Sequence, residues 1–315
     1  MKDVLKSAFS KDNLLLAWKW TLTNSDALYK NYFRHIYRAY SLSTETNLND
    51  LSYRLMNNLY LPTHSTKLFF PKKSGILRPY TLISVEDQIV YQAIINIIAE
   101  RLFPRVRNSY YKSNFGHLYA GRFSRYFYQN WKKGYRKFSE ALRSKYNEGY
   151  VYAASFDLTA CYDSIDHAVL KHFLKDLKVE NEFCDYLCKL LQYWTASSPH
   201  EPIYQGHGIP QGPQPSGLLS ECILRYFDKK NMTSYKVNYL RYVDDIRLLA
   251  KTENELRKNL ISLDMQSKNI GLFPQSSKID IHKISNIDDE IKSISHPPEI
   301  ILGKPDSDQK KVHSV

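Results

Sequence analysis

Three aspartates have the residue type and the positions that phosphate chemistry needs. Asp157 ends the apolar segment YVYAASFD, and Asp244 and Asp245 stand between the apolar segments of LRYVDDIRLL. Ionised carboxylates rarely border apolar strands unless something compensates their lost hydration. Two-metal phosphoryl transfer needs acids from separate strands that converge on a pair of divalent ions, and Mg²⁺ prefers hard oxygen ligands. We therefore expect the three carboxylates to hold two Mg²⁺ ions, with Mn²⁺ as the substitute metal.

The Asp244-Asp245 pair also has a purely structural alternative, because Asp tolerates left-handed backbone geometry and bonds to its own backbone in turns. For an isolated pair this alternative would be the stronger one. The segments around the three acids change the balance in favour of chemistry.

Five segments, in order, resemble the motifs of reverse transcriptases. KKSGILRPYTLISVEDQIVYQAI is similar to the fingers motif, FDLTACYDSID to the first catalytic motif, GIPQGPQPSGLLSE to the second, YVDD to the third, and GLFPQSSK to the motif that follows the hairpin. YVDD alone would occur by chance, whereas five motifs in the family's order, from about Phe69 to Lys278, are specific. The resemblance implies an α+β fold: a right-hand polymerase palm with an antiparallel sheet backed by helices, helical and hairpin fingers, and a short or absent thumb.

The resemblance assigns the roles around the carboxylates. Asp157 and Asp244 would bind both metal ions, and Asp245 would complete the cluster. Leu158 is assigned to the same metal and nucleotide site. Tyr162 matches the family's steric gate, an aromatic ring that would collide with a ribose 2′-hydroxyl and so favour deoxynucleotides; a core tyrosine is the alternative.

Further residues match contacts to the nucleotide. Arg78, with Lys72 or Lys73, matches the fingers residues that clamp the triphosphate, and the planar fork of Arg suits phosphate oxygens. A solvated turn is the alternative for the two lysines. Gln211 and Gly212 match the position beneath the incoming nucleotide, where glycine permits close backbone approach; a structural loop is the alternative for Gln211.

Lys278 matches a residue that would donate a proton to the leaving pyrophosphate, and an exposed lysine is its alternative. Only 37 residues follow it, too few for a full helical thumb. Either the chain is a fragment, or another protein subunit, a structured non-coding RNA or self-association is expected to supply the grip on primer and template.

Two departures from the second motif indicate a subgroup. Reverse transcriptases of introns and retrons continue this motif with Ser-Pro and a later Asn, whereas this chain has Ser216-Gly217 and Ser220-Glu221. Such departures resemble the abortive-infection and unknown-group reverse transcriptases of bacterial antiphage defence. The expected function is thus an RNA-directed DNA polymerase in such a defence system.

Three other functions fit parts of the sequence. An RNA-dependent RNA polymerase would use the same palm chemistry, but Tyr162 argues against it. A nucleic-acid-binding scaffold without catalysis is opposed by the presence of all three acids. A metal nuclease would fit the acids, but neither the Gln-Gly loop nor the fingers motif.

The secondary-structure pattern provides elements to position these residues. Helical spacing of apolar residues predicts a helical N-terminal region over 1–60. Residues 61–149 are predicted as fingers, with a hairpin and a helix from about Ser84. Residues 150–285 are predicted as the palm, with interleaved fingers helices, and 286–315 as a polar C-terminal tail or the start of a thumb.

Charge points to a polyanionic partner. The net charge is +12 and the isoelectric point is near 9.3. Between Arg101 and Asn147 there are twelve Lys or Arg against one acid, Glu140, together with thirteen aromatic residues. Such a segment can neutralise phosphates and stack on unpaired bases; an amphipathic helix with its aromatic residues in the core is the alternative. We expect dNTPs, an RNA template and a DNA product as partners.

The remaining composition is that of a soluble cytoplasmic protein, with 43% hydrophobic and 24% charged residues. No apolar run is long enough to span a membrane, so no membrane partner is expected. The cysteines form no C-x-x-C pair, and buried free thiols are expected at Cys184 and Cys188.

Overall fold

A computed structural model describes residues 3–23, 30, 33–71, 77–196, 206–232 and 236–293. The helices within these ranges are α1 (Asp3–Ala8), α2 (Lys11–Thr23), α3 (Arg34–Leu42), α4 (Thr44–Met56), α5 (Val85–Val106), α6 (Trp131–Asn147), α7 (His167–Asp176), α8 (Asn181–Thr195), α9 (Pro215–Asn231), α10 (Glu253–Asn269) and α11 (Ile287–Ser293). The strands are β1 (Thr66–Pro71), β2 (Leu77–Leu82), β3 (Tyr152–Asp157), β4 (Val237–Tyr242), β5 (Asp245–Ala250) and β6 (Ile281–Lys283). The fold is of the α+β class, as predicted.

Four strands form one antiparallel sheet in the order β4-β5-β3-β6. Strands β3 and β5 are central, and their register runs from Tyr152 opposite Ala250 to Asp157 opposite Asp245. Alternate side chains enter two different cores: Phe156 belongs to the larger hydrophobic cluster, whereas Ala153 belongs to a smaller cluster that includes residues of α6. Because helices cover both faces, most residues of these strands are apolar, although Arg241 and Arg247 lie within them.

The two remaining strands form the predicted hairpin. β1 and β2 pair antiparallel, with Pro79 opposite Phe69. Both strands of a two-stranded ribbon are edge strands. The absence of an N–H group at Pro79 therefore weakens the ribbon little. The predicted turn at residues 72–75 lies outside the described residues.

Helix α5 contributes many buried residues to the larger hydrophobic cluster. It begins close to the predicted start at Ser84, and the Ser84 side chain caps it by accepting a hydrogen bond from the Asp87 N–H at 3.1 Å. Its middle is fully buried, and helix α2 packs against it, where Asn13 donates to the carbonyl oxygen of Ala93 at 2.9 Å. The long apolar run of this helix is therefore explained by contacts on all sides.

The cysteines are free thiols. Cys184 is buried, as expected, but Cys188 is only half-buried, so the prediction was wrong for the second residue. Both lie on α8, and the four-residue spacing placed only Cys184 fully in the core. In the described ranges, no helix combines the length and the apolar character needed to cross a membrane.

Candidate active site

The three predicted acids meet at one end of the sheet. Asp157 is the last residue of β3 and Asp245 is the first residue of β5. The two are direct partners in the antiparallel register, so their side chains leave the same face of the sheet about 4.5–5.5 Å apart at Cβ. Asp244 is the residue before Asp245 and lies in the turn between β4 and β5. The fold therefore brings together the carboxylates that the sequence analysis grouped.

The turn that carries Asp244 has a strained backbone. Val243 has a φ of 60°, a left-handed conformation that is unusual for a β-branched residue. Strain of this kind costs on the order of 1–3 kcal/mol and persists only where the surroundings enforce it. One such contact is the hydrogen bond from Arg241 Nη1 to the Val243 carbonyl oxygen at 2.7 Å.

The electrostatic environment of Asp244 disfavours negative charge. Burial raises the pKa of Asp244, and the nearby charges of Asp157 and Asp245 raise it further. The positive charge of Arg78 has the opposite effect on this pKa. Asp245 accepts a hydrogen bond from Arg247 Nε at 3.2 Å. A cation placed among the acids would relieve their repulsion.

The carboxylate oxygens are suitable ligands for Mg²⁺, but they would supply only part of the coordination shell of the ion. Among the described residues, no group of three or more His, Cys, Asp or Glu side chains is arranged to hold a metal ion by itself. Mg²⁺ usually takes one or two carboxylates and completes its shell with water and substrate phosphates. The site therefore fits ions that arrive with, or are completed by, a nucleotide.

Tyr162 lies between the acids and α9. Its side chain is half-buried and packs against the larger hydrophobic cluster. Burial raises the pKa of its phenol well above the usual value, the negative charge of Asp244 adds to this increase, and a hydrogen bond with Ser220 opposes it. The phenol is therefore neutral at physiological pH, close to the carboxylates.

Leu158 can contribute only its backbone to a ligand site. Its side chain is 3% exposed and belongs to the larger hydrophobic cluster. Its backbone forms a bridge with Pro274, and the Gln275 N–H donates to the carbonyl oxygen of Asp157 at 2.8 Å. The segment that resembles the last motif is thus attached directly to the strand end that carries Asp157.

The Gln211-Gly212 loop rests on strand β2. The Thr81 N–H donates to the Gln211 carbonyl oxygen at 2.7 Å. Gly212 has a φ of 120°, and a Cβ there would lie 2.6 Å from Cδ1 of Tyr80, so both the conformation and the space require glycine. Arg78 lies two residues before Tyr80 on the same strand and is half-buried. The hairpin, the loop and the acids therefore adjoin one another.

Three predicted contact residues are not placed. Lys72 and Lys73 lie outside the described residues. Lys278 ends a 3₁₀ helix, Ser276–Lys278, and its side chain is outside the described part. Their assigned roles remain predictions.

A group of charged side chains buried behind the β4–β5 turn was not predicted from the sequence. Arg241 is surrounded by Glu221 and Asp228 of α9. The available signal was the occurrence of two acids seven residues apart on an apolar helix and one arginine in an apolar strand, since charges in such positions are usually paired.

The basic, aromatic segment divides between core and surface, so the alternative of aromatic residues in the core holds for some of its residues. Phe115, Tyr119, Phe127 and Phe138 are buried. In contrast, Phe123 is fully exposed, and Tyr126 and Trp131 are about half exposed. The exposed cations of the same stretch include several without a salt bridge to an acidic side chain in the described ranges: Arg122, Arg125, Lys132 and Lys133.

Comparison with known proteins gives a consistent result. A family model described as "Reverse transcriptase (RNA-dependent DNA polymerase)" matches residues 70–307. Telomerase from Candida albicans, in complex with a TWJ fragment of telomeric RNA, aligns with 72% of this chain at 14% identity and a TM-score of 0.48. Apo telomerase from Candida tropicalis aligns with 76% at 12% identity and a TM-score of 0.49, and a partial Cas6-RT-Cas1–Cas2 complex aligns with 85% at 15% identity and a TM-score of 0.42. This chain spans 42%, 48% and 43% of those three chains, respectively. No curated protein matches the chain in sequence.

Proposed function

Because the chain belongs to the reverse transcriptase family, we propose that it is an RNA-directed DNA polymerase that joins deoxynucleotides by two-metal-ion nucleotidyl transfer. The 3′-oxygen of a primer attacks the α-phosphorus of a dNTP, loses its proton, and displaces pyrophosphate. The observation that carries this proposal is the direct pairing of Asp157 with Asp245, with Asp244 in the adjoining turn.

In this proposal the acids act as metal ligands. Asp157 and Asp244 hold two Mg²⁺ ions, for which Mn²⁺ can substitute, and Asp245 completes the cluster. When bound, the metal supplies Lewis-acid stabilisation of charge on the attacking and leaving oxygens. The raised pKa of Asp244 supports this role, because a cation would recover the free energy that the buried carboxylate loses.

The residues around the acids position the nucleotide. Arg78 binds the triphosphate, and its electrostatic effect on Asp244 supports a position near the reacting phosphate. Tyr162 excludes the 2′-hydroxyl of a ribonucleotide, and the Gln211-Gly212 loop supports the nucleotide from below. Leu158 contributes backbone atoms at the metal and nucleotide site.

Three lysines complete the proposed substrate contacts. Lys72 or Lys73 binds the triphosphate together with Arg78. Lys278 donates a proton to the departing pyrophosphate. A cation at each of these positions offsets negative charge of the triphosphate near the acids.

The surface of the basic segment supports a nucleic-acid partner. Exposed cations without acidic partners, interleaved with exposed aromatic rings, combine phosphate neutralisation with base stacking. The proposed partners are an RNA template, including a dedicated structured RNA, and the DNA product. A partner protein or a second copy of this chain is proposed as a further partner.

We further propose antiphage defence in the bacterial cytoplasm as the biological role. It is supported by the Ser216-Gly217 and Ser220-Glu221 departures from the second motif. Phage plating on cells that express the wild-type chain or Asp244→Ala tests it. Equal plaque counts on both strains and on cells without the protein would contradict this role.

The polymerase activity is tested with purified protein, a primed RNA template, Mg²⁺ and labelled dNTPs. Wild-type protein should extend the primer, and Asp157→Ala and Asp244→Ala should abolish extension. Asp289→Ala, which removes an exposed carboxylate of α11, is the matched control and should extend normally. Equal extension by the wild type and Asp244→Ala would overturn the proposal. Preferential use of rNTPs would favour an RNA polymerase, and binding without extension would favour a scaffold.

A further inference from the structure

Arg241 is a fully buried arginine with acceptors for all of its N–H groups. Its side chain is 0% exposed. Nε and Nη2 donate to the two oxygens of Asp228 at 2.8 and 2.6 Å, and Nη1 and Nη2 donate to the two oxygens of Glu221 at 2.8 and 2.9 Å. The remaining N–H of Nη1 donates to the carbonyl oxygen of Val243 at 2.7 Å. All five donors of the guanidinium group are therefore used.

The acceptors are themselves fixed by other elements. Asn114 Nδ2 donates to Glu221 at 2.8 Å, and the Tyr239 hydroxyl donates to Asp228 at 2.9 Å. The backbone of Arg241 is bonded to the segment before α6, since its N–H donates to the Ser113 carbonyl oxygen at 2.7 Å. Arg241 thus connects β4, α9, this segment and the turn Val243-Asp244, which we call the catalytic turn.

The bond to Val243 is the one that reaches the proposed active site. Val243 adopts a left-handed conformation, and the next residue is Asp244. A buried ion cluster is not needed to fill this volume, because apolar residues of similar size are often as stabilising. What apolar residues cannot supply is a directed donor to the carbonyl oxygen of a strained turn.

We propose that Arg241 is a positioning residue that holds the catalytic turn and thereby sets the place of Asp244 relative to the Gln211-Gly212 loop. Glu221 and Asp228 act through Arg241, because they fix both the plane and the position of its guanidinium group. Helix α9 begins directly after the loop at Pro215, so the cluster couples the two sides of the site. This inference rests on the proposed polymerase function.

Lysine cannot replace this arginine. An ammonium group has three donors on a single atom and cannot bond two carboxylates in a plane and a carbonyl oxygen at once. Arg241→Lys keeps the charge and should lose the bond to Val243. We expect kcat to fall between about tenfold and a hundredfold, as for other misplaced catalytic groups, with the KM for dNTP changed by less than about threefold.

A second readout does not depend on activity. In metal-free protein, the backbone amides of residues 242–246 should exchange with deuterium faster in Arg241→Lys than in the wild type. The matched control is Arg225→Lys. Arg225 lies on α9, as Glu221 and Asp228 do. It donates to the carbonyl oxygens of Cys222 and Phe173 but makes no bond to the turn. The control should leave exchange in residues 242–246 and kcat unchanged.

Rescue separates positioning from stability. Glycine adopts a φ of 60° without strain, so Val243→Gly should restore part of the kcat of Arg241→Lys without restoring its melting temperature. If Arg241→Lys does not fold, the triple variant Arg241→Met, Glu221→Gln, Asp228→Asn, which has no charge at these three positions, is used for the same measurements. Unchanged exchange in residues 242–246, effects equal to those of Arg225→Lys, or absence of rescue would overturn the inference. A wild type that extends no primer would instead defeat the proposed function, and the exchange measurement would still test the hold on the turn.

Discussion

Gly116 lies against Val243 so closely that a Cβ on residue 116 would be 2.6 Å from both the Cγ2 atom and the backbone nitrogen of Val243. The contact places the segment before α6 directly beneath the turn that carries Asp244. The strained residue Val243 is therefore held by two separate contacts, this packing and the hydrogen bond from Arg241.

Gly116→Ala should displace the catalytic turn. Because backbone atoms cannot move aside as a flexible side chain would, we expect primer extension to fall by about tenfold or more. Extension kinetics and deuterium exchange of residues 242–246 measure the two effects. Ser139→Ala on α6 is the control. Wild-type kinetics in Gly116→Ala would show that the turn tolerates displacement.

Asp244→Asn should stabilise the metal-free protein at neutral pH. The folded state raises the pKa of Asp244 above its usual 3.8 because the carboxyl group is buried. The folded protein therefore binds more protons than the unfolded chain between the two pKa values, and its free energy of unfolding falls as pH rises through this window. Each unit by which the pKa is raised lowers the free energy of unfolding by about 1.4 kcal/mol at high pH. The amide in Asp244→Asn does not ionise, so this variant avoids the loss of stability.

Thermal unfolding at several pH values tests this sign. The gain from Asp244→Asn should be largest at pH 7–8, disappear below about pH 4, and shrink when Mg²⁺ is added, since the ion binds only the wild type tightly. Asp289→Asn, at an exposed position, should show no such gain. A gain that increases as pH falls would contradict the assignment.

Tyr162→Ala should increase incorporation of ribonucleotides relative to deoxynucleotides. Removing the ring opens the space that a 2′-hydroxyl would occupy. Tyr162→Phe keeps the ring, loses the hydrogen bond with Ser220, and should discriminate as the wild type does. Competitive incorporation of rNTP and dNTP gives the ratio. The same ratio in all three proteins would remove the gate assignment from Tyr162.

Phe123→Ala should weaken binding to single-stranded RNA without changing the melting temperature, because the ring is fully exposed. Loss of one base stack corresponds to about 1–3 kcal/mol. Replacing Arg122 and Arg125 by Gln should instead reduce the salt dependence of binding, by about 0.7 in the logarithmic slope for each lost phosphate contact. Ile261→Ala, which removes an exposed apolar side chain on α10, is the control. Unchanged affinity and slope would remove this surface from the nucleic-acid interface.

Local signals predicted much of the architecture. Ser84 and Asp166 cap α5 and α7 because each offers a side-chain oxygen to free N–H groups at a helix start. The acids at strand ends were predicted for a similar local reason, because a buried apolar strand accommodates carboxylates only at its ends. These features depend on neighbours within a few residues, so the sequence contains the information directly.

Contacts between distant segments were not predictable in the same way. Arg241 lies in a strand that is apolar on both faces, so alternation did not indicate whether its side chain was in the core or in water. Its pairing with Glu221 and Asp228 depends on how α9 crosses β4. The need for glycine at residues 116 and 212 arises from Val243 and Tyr80, which are far away in sequence.

The buried cluster at Arg241 also constrains how this sequence can change over time. It holds one positive and two negative groups, so loss of Arg241 leaves two buried carboxylates without their cation, and loss of either acid leaves N–H groups of Arg241 without an acceptor. Substitutions at positions 221, 228 and 241 should therefore be strongly epistatic, each deleterious alone and tolerated together. Among descendants of a common ancestor, these three positions are expected to be inherited or exchanged as a set.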